Sequence, residues 1–297
     1  MGAQVVRFFA AVNVDAQGKP RTDIPLAIER GKAVLDRLQQ RGMFALLTLT
    51  DALWSGFSVR VEPRYRVDSG VDVLNLAWYA EGYQKSLLPF IQEYVGVLGA
   101  HPAVLGWGIG NAMRRHPSLS PVTPQECEIY LSFFRATSEA IRRHAPTKLI
   151  TPGIESAWHL FGSYAYDGPR FGTRLYNIAT LDLATLHTFQ NPPGPTRQNL
   201  GHLHTHLERE LQLAQTEWGV PVIVQEIGPT GGRDRGDGGA WISATLEQLF
   251  EMGISGALQY AFHAPPRRNR GGQPLRRDAL SGQHPAQPRL AQPGGGL

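Results

Sequence analysis

The sequence predicts an α/β protein in which parallel strands alternate with helices to build most of a (β/α)8 TIM-type barrel. Three observations predict it. Short apolar runs rich in branched residues recur about every 30 to 45 residues, as expected of buried parallel strands. Each is followed by helix-length material with a 3.6-residue apolar spacing. The polar residues of these runs gather at their C-terminal ends, where the loops of such a barrel converge. Strand spacing alone leaves a doubly wound open sheet as the alternative.

Seven strands are read in order. The first is AQVVRFFAAV at 3–12, followed by a helix around 24–41 that Gly42 ends. MFALLTLT at 43–50 leads through a long aromatic-bearing loop, Asp51 to Asp72, into a helix over 78–99. AVLGWGIG at 103–110 precedes a helix opening near Thr123, where Thr-Pro-Gln-Glu combines a cap, a first-turn proline and a capping-box acid. KLITPGI at 148–154 is followed by a loop rich in glycine and tyrosine. LDLATLHTF at 181–189, a helix through 201–218, VPVIVQEIG at 220–228, a helix over 240–252 and ISGALQYAF at 254–262 complete the series.

A closed barrel of this kind has eight strands. The chain opens directly in a strand, so the first β/α unit is expected to be missing. After Phe262 six prolines and many glycines replace the apolar face that a closing helix requires. The expected organisation is an incomplete barrel over 1–263 and a disordered Pro/Gly/Arg-rich tail over 264–297.

Charge and composition narrow the function classes. The formal net charge is +4, but the tail carries six arginines against one acid, so the body is nearly neutral. That does not form a phosphate-tracking surface, and no nucleic-acid partner is expected. Cys127 is the only cysteine, which excludes an internal disulfide and a thiolate metal cluster; it reads as a buried helix residue. No apolar run reaches the roughly 18 residues of a membrane span, and the start has no basic leader. The expected location is the cytoplasm, or outside the cell if an export signal preceded Met1. No obligate protein partner is indicated.

The strand ends bring together Arg7, Asp51 with Trp54, Asn111, Glu155, His187 with Phe189, Glu226, and Tyr260 with His263. Glu226 carries most of the chemistry. It follows VPVIVQ in a strand that should be inaccessible, and a buried carboxylate is costly unless paired. Two readings stand side by side: a structural ion pair with Arg7 across the mouth, or a nucleophile held ionised by that arginine, with His187 and Tyr260 as donors. Trp54, Trp158, Trp241 and Tyr260 flank these ends and suit the apolar faces of sugar rings; Trp107, inside a strand, reads as core. No metal or organic cofactor is expected. His202 and His206 of HLHTH share a helix face but lack the glutamate of HExxH, and the glycines at 231–239 lack the P-loop lysine.

These residues together resemble glycoside hydrolase family 5, the cellulase and β-mannanase group of barrel glycosidases, over about residues 2–263. GAQVVRFF resembles that family's second strand with its arginine at Arg7, and VLGWGIGNAMR the fourth, which in the family ends Asn-Glu. LHTF resembles the sixth, whose pattern is His-x-Tyr; PVIVQEIG the seventh, which holds the nucleophile; and GALQYAF the eighth. The resemblance implies a retaining mechanism on β-linked glucan or mannan, with Glu226 as nucleophile and Arg7, Trp54, Asn111, His187, Phe189 and Tyr260 around the substrate. The departures are specific. Ala112 stands at the acid/base glutamate, Phe189 replaces a tyrosine hydroxyl and Tyr260 replaces a tryptophan. The mechanism needs two carboxyl groups about 5 to 5.5 Å apart, and loss of the acid/base costs about 10²–10⁴ in rate, so impaired hydrolysis is expected. Glu155 and His116 are the nearby groups that could stand in. A non-catalytic sugar-binding protein and a truncated reading frame remain the alternatives.

Overall fold

The computed structural model describes residues 2–10, 23–51, 64–66, 72–74, 76–113, 123–156, 168–190, 208–229 and 238–260. By compactness the chain divides into Met1–Ala261 and Phe262–Leu297, and the second segment lies outside the described residues.

Each strand expected from the apolar runs is present. β1 (Val5–Phe9), β2 (Phe44–Thr48), β5 (Val104–Gly108) and β6 (Leu149–Thr151) form a four-stranded parallel sheet in that order. β7 (Ala184–Gln190), β8 (Val222–Pro229) and β9 (Gly256–Gln259) form a second parallel sheet. The two sheets are stitched where the Asp182 amide donates to the Ile150 carbonyl at 2.9 Å and the His187 amide to the Glu155 carbonyl at 2.8 Å. β9 then comes round beside β1 without joining it in a ladder among the described residues, so the strands follow one another in barrel order without closing.

The crossovers are helical because the sequence between strands carries caps and apolar stripes. α1 (Ile24–Gln39) begins where the Asp23 carboxylate accepts from the Leu26 amide at 3.0 Å. α4 (Pro124–His144) opens on the expected capping box: Glu126 N–H donates to the Thr123 hydroxyl, and the Glu126 carboxylate accepts from the Thr123 amide. The helical stretch from Trp78 to Leu98 holds α2 (Tyr83–Phe90) and α3 (Gly96–Leu98), interrupted by wide π-type turns. One of these follows Pro89, which has no amide hydrogen to donate. Tyr79 and Tyr83 pack edge-on against Phe133 of α4 and Trp78 packs against it at a tilt, with ring centroids 5.2–5.4 Å apart. A helix at 208–213, α6, continues as a wide turn through Trp218, and α7 (Gly238–Glu251) precedes β9.

Two elements depart from the sequence reading. The long aromatic-bearing loop contains an antiparallel pair, β3 (Arg64–Arg66) with β4 (Asp72–Leu74), and the loop rich in glycine and tyrosine contains α5 (Gly168–Tyr176). Both are too short for periodicity to register against their glycines and polar residues. Trp107 and Cys127 are buried, as read. β2, β5 and β8 are largely buried, whereas every residue of β1 and β9 is at least partly exposed. Among the described residues no helix is long and apolar enough to cross a membrane.

Candidate functional site

The strand ends converge on one polar cluster organised by Arg7. Its guanidinium makes three directed contacts: Nε donates to the Thr48 hydroxyl at 3.1 Å, Nη1 to Glu226 Oε1 at 2.5 Å and Nη2 to Asn111 Oδ1 at 2.8 Å. Arg7 lies in the middle of β1 rather than at its end, and its length carries the charge to the neighbouring strand ends. Thr48 belongs to β2, Asn111 follows β5 and Glu226 belongs to β8, so one side chain ties four strands together.

Glu226 reaches this cluster because β8 is bulged. Leu186 pairs with Val224, but the next residue of β7, His187, pairs with Glu226; β9 sees the same extra residue, with Ala257 against Val224 and Gln259 against Ile227. Gln225 is the residue gained. In an unbroken strand Gln225 and Glu226 would face opposite ways. Here Gln225 Nε2 donates to Thr151 of β6 at 2.9 Å while Glu226 meets Arg7 of β1. Each contact spans two strands, in opposite directions, which only inward-facing side chains can make.

His187 Nδ1 lies 3.8 Å from Glu226 Oε2, close enough for electrostatic interaction and too far for a hydrogen bond. The Asn111 amide is held at both ends, by Arg7 at its oxygen and by Asp51 Oδ1 at its nitrogen, 3.3 Å away. Asp51 is fully buried. Ala112 is buried and adopts φ +47°, turning the chain so that the Met113 amide donates to the Gly153 carbonyl at 3.2 Å. Gly153 has φ +74° and presses on the backbone of Gly110, where any Cβ would overlap the carbonyl. Two tight backbone turns therefore set the rim after β5 and β6.

Electrostatics follow burial. Desolvation pushes the Glu226 carboxyl above its ordinary range, Arg7 pulls it back, and Glu155 and Asp51 add to the rise. Desolvation likewise lowers the Arg7 guanidinium, against the pull of Glu226 and Asp51. Tyr260, about half exposed, is raised by burial and by the same two carboxylates.

The structure thus brings together Arg7, Asn111, His187, Glu226 and Tyr260, and Glu155 and Asp51 join them electrostatically. Trp54, Trp158, His116, His202, His206 and His263 lie outside the described residues, as do the side chains of Phe189 and Trp241. The role of Asp51 as partner of Asn111 was not read from the sequence, although its place after an apolar strand marked it as polar. Among the described residues no three His, Cys, Asp or Glu side chains cluster to hold a metal ion. A groove of about 400 Å³ between α4 and the end of α5, lined by Arg135, Glu139 and Arg174 among others, belongs to the outer helices and not to this cluster.

No family model matches the chain, and no curated protein matches it. Solved structures do. The hyperthermostable endo-1,4-β-D-mannanase of Thermotoga petrophila superposes with a TM-score of 0.58 at 15% identity, over 93% of this chain and 85% of that one. A glycoside hydrolase family 5 mannosidase of Rhizomucor miehei gives 0.60 at 17%, over 91% and 76%. The fold is an α/β fold of the (β/α)8 TIM-barrel type. Endo-glycoceramidase II of Rhodococcus sp. shares the barrel at 13% identity, with a TM-score of 0.55 over 92% of this chain and 69% of that one. In a barrel of this type the C-terminal strand ends form the reactive face, and the Arg7 cluster occupies that face.

Proposed function

We propose that this barrel is glycosidase-like: it takes a β-linked glucan or mannan, with Glu226 as the nucleophile of a retaining mechanism whose acid/base position holds Ala112. The observation that carries the reading is the buried Arg7–Glu226 ion pair inside a bulged strand, beside His187 and Asn111. A carboxylate held this way is ready to attack an anomeric carbon. The superposable structures include mannanases, an endoglucanase and a glycoceramidase, which supports a glycan as ligand. Asn111 and His187 would meet sugar hydroxyls, and Trp54, Phe189 and Tyr260 would line the apolar faces of the rings.

Attack by Glu226 forms the glycosyl–enzyme bond as the bond to the leaving oxygen breaks. An alanine methyl can neither protonate that oxygen nor activate the water that follows. Turnover therefore depends on the leaving group, and loss of the acid/base is worth about 10²–10⁴ in rate. The test is release of an activated aryl β-glycoside with and without azide or formate. Azide attacks the anomeric carbon, frees Glu226 and leaves a glycosyl azide. Rate acceleration by the anion, absent in Glu226→Gln, is the expected result; no Glu226-dependent release under either condition rejects the enzymatic reading.

A second reading, glycan binding without turnover, is favoured by the identity of Ala112, whose methyl stands where the mechanism needs a carboxyl. Calorimetry with cello- and manno-oligosaccharides tests it. Absence of both heat and a rise in Tm rejects it.

A further inference from the structure

We propose that Asp51 is a positioning residue of this site: its buried carboxylate fixes the side-chain amide of Asn111 and stands as a second anion against Arg7. Asp51 follows β2 by three residues and is fully buried, a placement that is costly for a carboxylate without compensating contacts. It receives Asn111 Nδ2–H at 3.3 Å. An asparagine amide is nearly symmetric in shape, and only its partners decide which end is oxygen. At Asn111 the decision is made by charge: the cation of Arg7 takes the oxygen and the anion of Asp51 takes the nitrogen. One amide hydrogen of Asn111 is then left for a sugar hydroxyl, in a defined direction.

The second effect is electrostatic. The groups facing Glu226 are Arg7 from β1, Asp51 after β2, Glu155 after β6, His187 from β7 and Tyr260 after β9. One guanidinium thus faces several acidic groups. Removing the charge of Asp51 leaves more of the Arg7 field to Glu226 and makes that carboxyl easier to ionise.

Whatever concerns turnover rests on the glycosidase reading; the orientation of Asn111 and the ionisation of Glu226 do not. The experiment therefore measures both in the full-length protein. Carbon-13 carboxyl NMR follows the titration of Glu226, and nitrogen-15 NMR follows hydrogen exchange of the Asn111 side-chain amide, in wild type, Asp51→Asn and Asp51→Ala. Expected is a lower Glu226 midpoint in both variants. Amide exchange should be about tenfold faster in Asp51→Ala, where the charged acceptor is lost, and changed by less than about threefold in Asp51→Asn, whose oxygen still accepts. With an activated aryl β-glycoside, the acid limb of kcat/KM should move to lower pH in Asp51→Asn. An unchanged Glu226 midpoint and unchanged Asn111 exchange in the folded variants overturn the assignment. If wild type shows no Glu226-dependent turnover, the glycosidase reading fails while the two NMR measurements still decide the role of Asp51.

Discussion

Arg7 and Glu226, separated by 219 positions in the chain, meet at 2.5 Å inside the barrel, each side chain only 8% exposed. Taking two charges from water costs several kcal/mol per ion, and both partners are shifted toward their neutral forms chiefly by that burial. Removing one partner strands the other. Arg7→Met is expected to cost about 3–5 kcal/mol, whereas Arg7→Met with Glu226→Leu should recover wild-type stability or exceed it by about 1–4 kcal/mol. Urea unfolding measures both. A double variant no more stable than the single one would show that the buried pair is not what the fold pays to keep.

The pH dependence of stability follows from the same carboxyl. Burial raises Glu226 above 4.5 in the folded protein, so folding favours its protonated form. Its contribution is complete below the unfolded value and is lost as pH rises through the raised folded value. The unfolding free energy of wild type relative to Glu226→Gln should therefore be larger near pH 4 than near pH 8. A flat difference across that range contradicts the shift. Turnover should show the complementary limb, failing as pH falls through the raised value, because attack requires the ionised form.

Ala112 offers two opposite tests. Its φ of +47° is costly for a residue with a Cβ, and Ala112→Gly should raise stability by about 0.5–1 kcal/mol, visible as a higher Tm. Ala112→Glu should reduce stability by about 1–3 kcal/mol through strain and a buried carboxyl. The same change should accelerate cleavage of an unactivated β-linked oligosaccharide by about 10²-fold or more. Equal rates before and after that substitution would mean that this position does not face the leaving oxygen.

Gly153 is held against the Gly110 carbonyl at positive φ. Gly153→Ala must displace one of the two turns, with a loss of about 1–3 kcal/mol. Because Asn111 follows Gly110 directly, the change should also weaken binding of oligosaccharide in calorimetry. A variant with native stability and native binding would show that the two rims move independently.

The strands were legible in the sequence because buried parallel strands are written as uninterrupted Val, Ile and Leu, and the α4 capping box because Thr123 and Glu126 stand three apart with a proline between. Glu226 was visible as a carboxylate in an apolar run. Its pairing with Arg7 was common to both readings open for it, the structural ion pair and the nucleophile held ionised. The uniformity that made β8 readable concealed its bulge: where neither face is exposed, no alternation of polar and apolar residues records a slipped register. Asp51 and Asn111 stand 60 positions apart, and nothing local links them. α5 was hidden because a nine-residue helix opening on Gly-Pro carries too few turns to show its period.

The extra residue at Gln225 makes the site sensitive to chain length as well as to side-chain identity. Individual substitutions along β8 alter one contact each, whereas deletion of a single codon between Val222 and Gln225 would remove the bulge and leave Glu226 opposite His187. A scan of one-residue deletions across Val222–Pro229 should therefore keep the Arg7–Glu226 pair for losses on the N-terminal side of Glu226 while disturbing the Gln225–Thr151 contact.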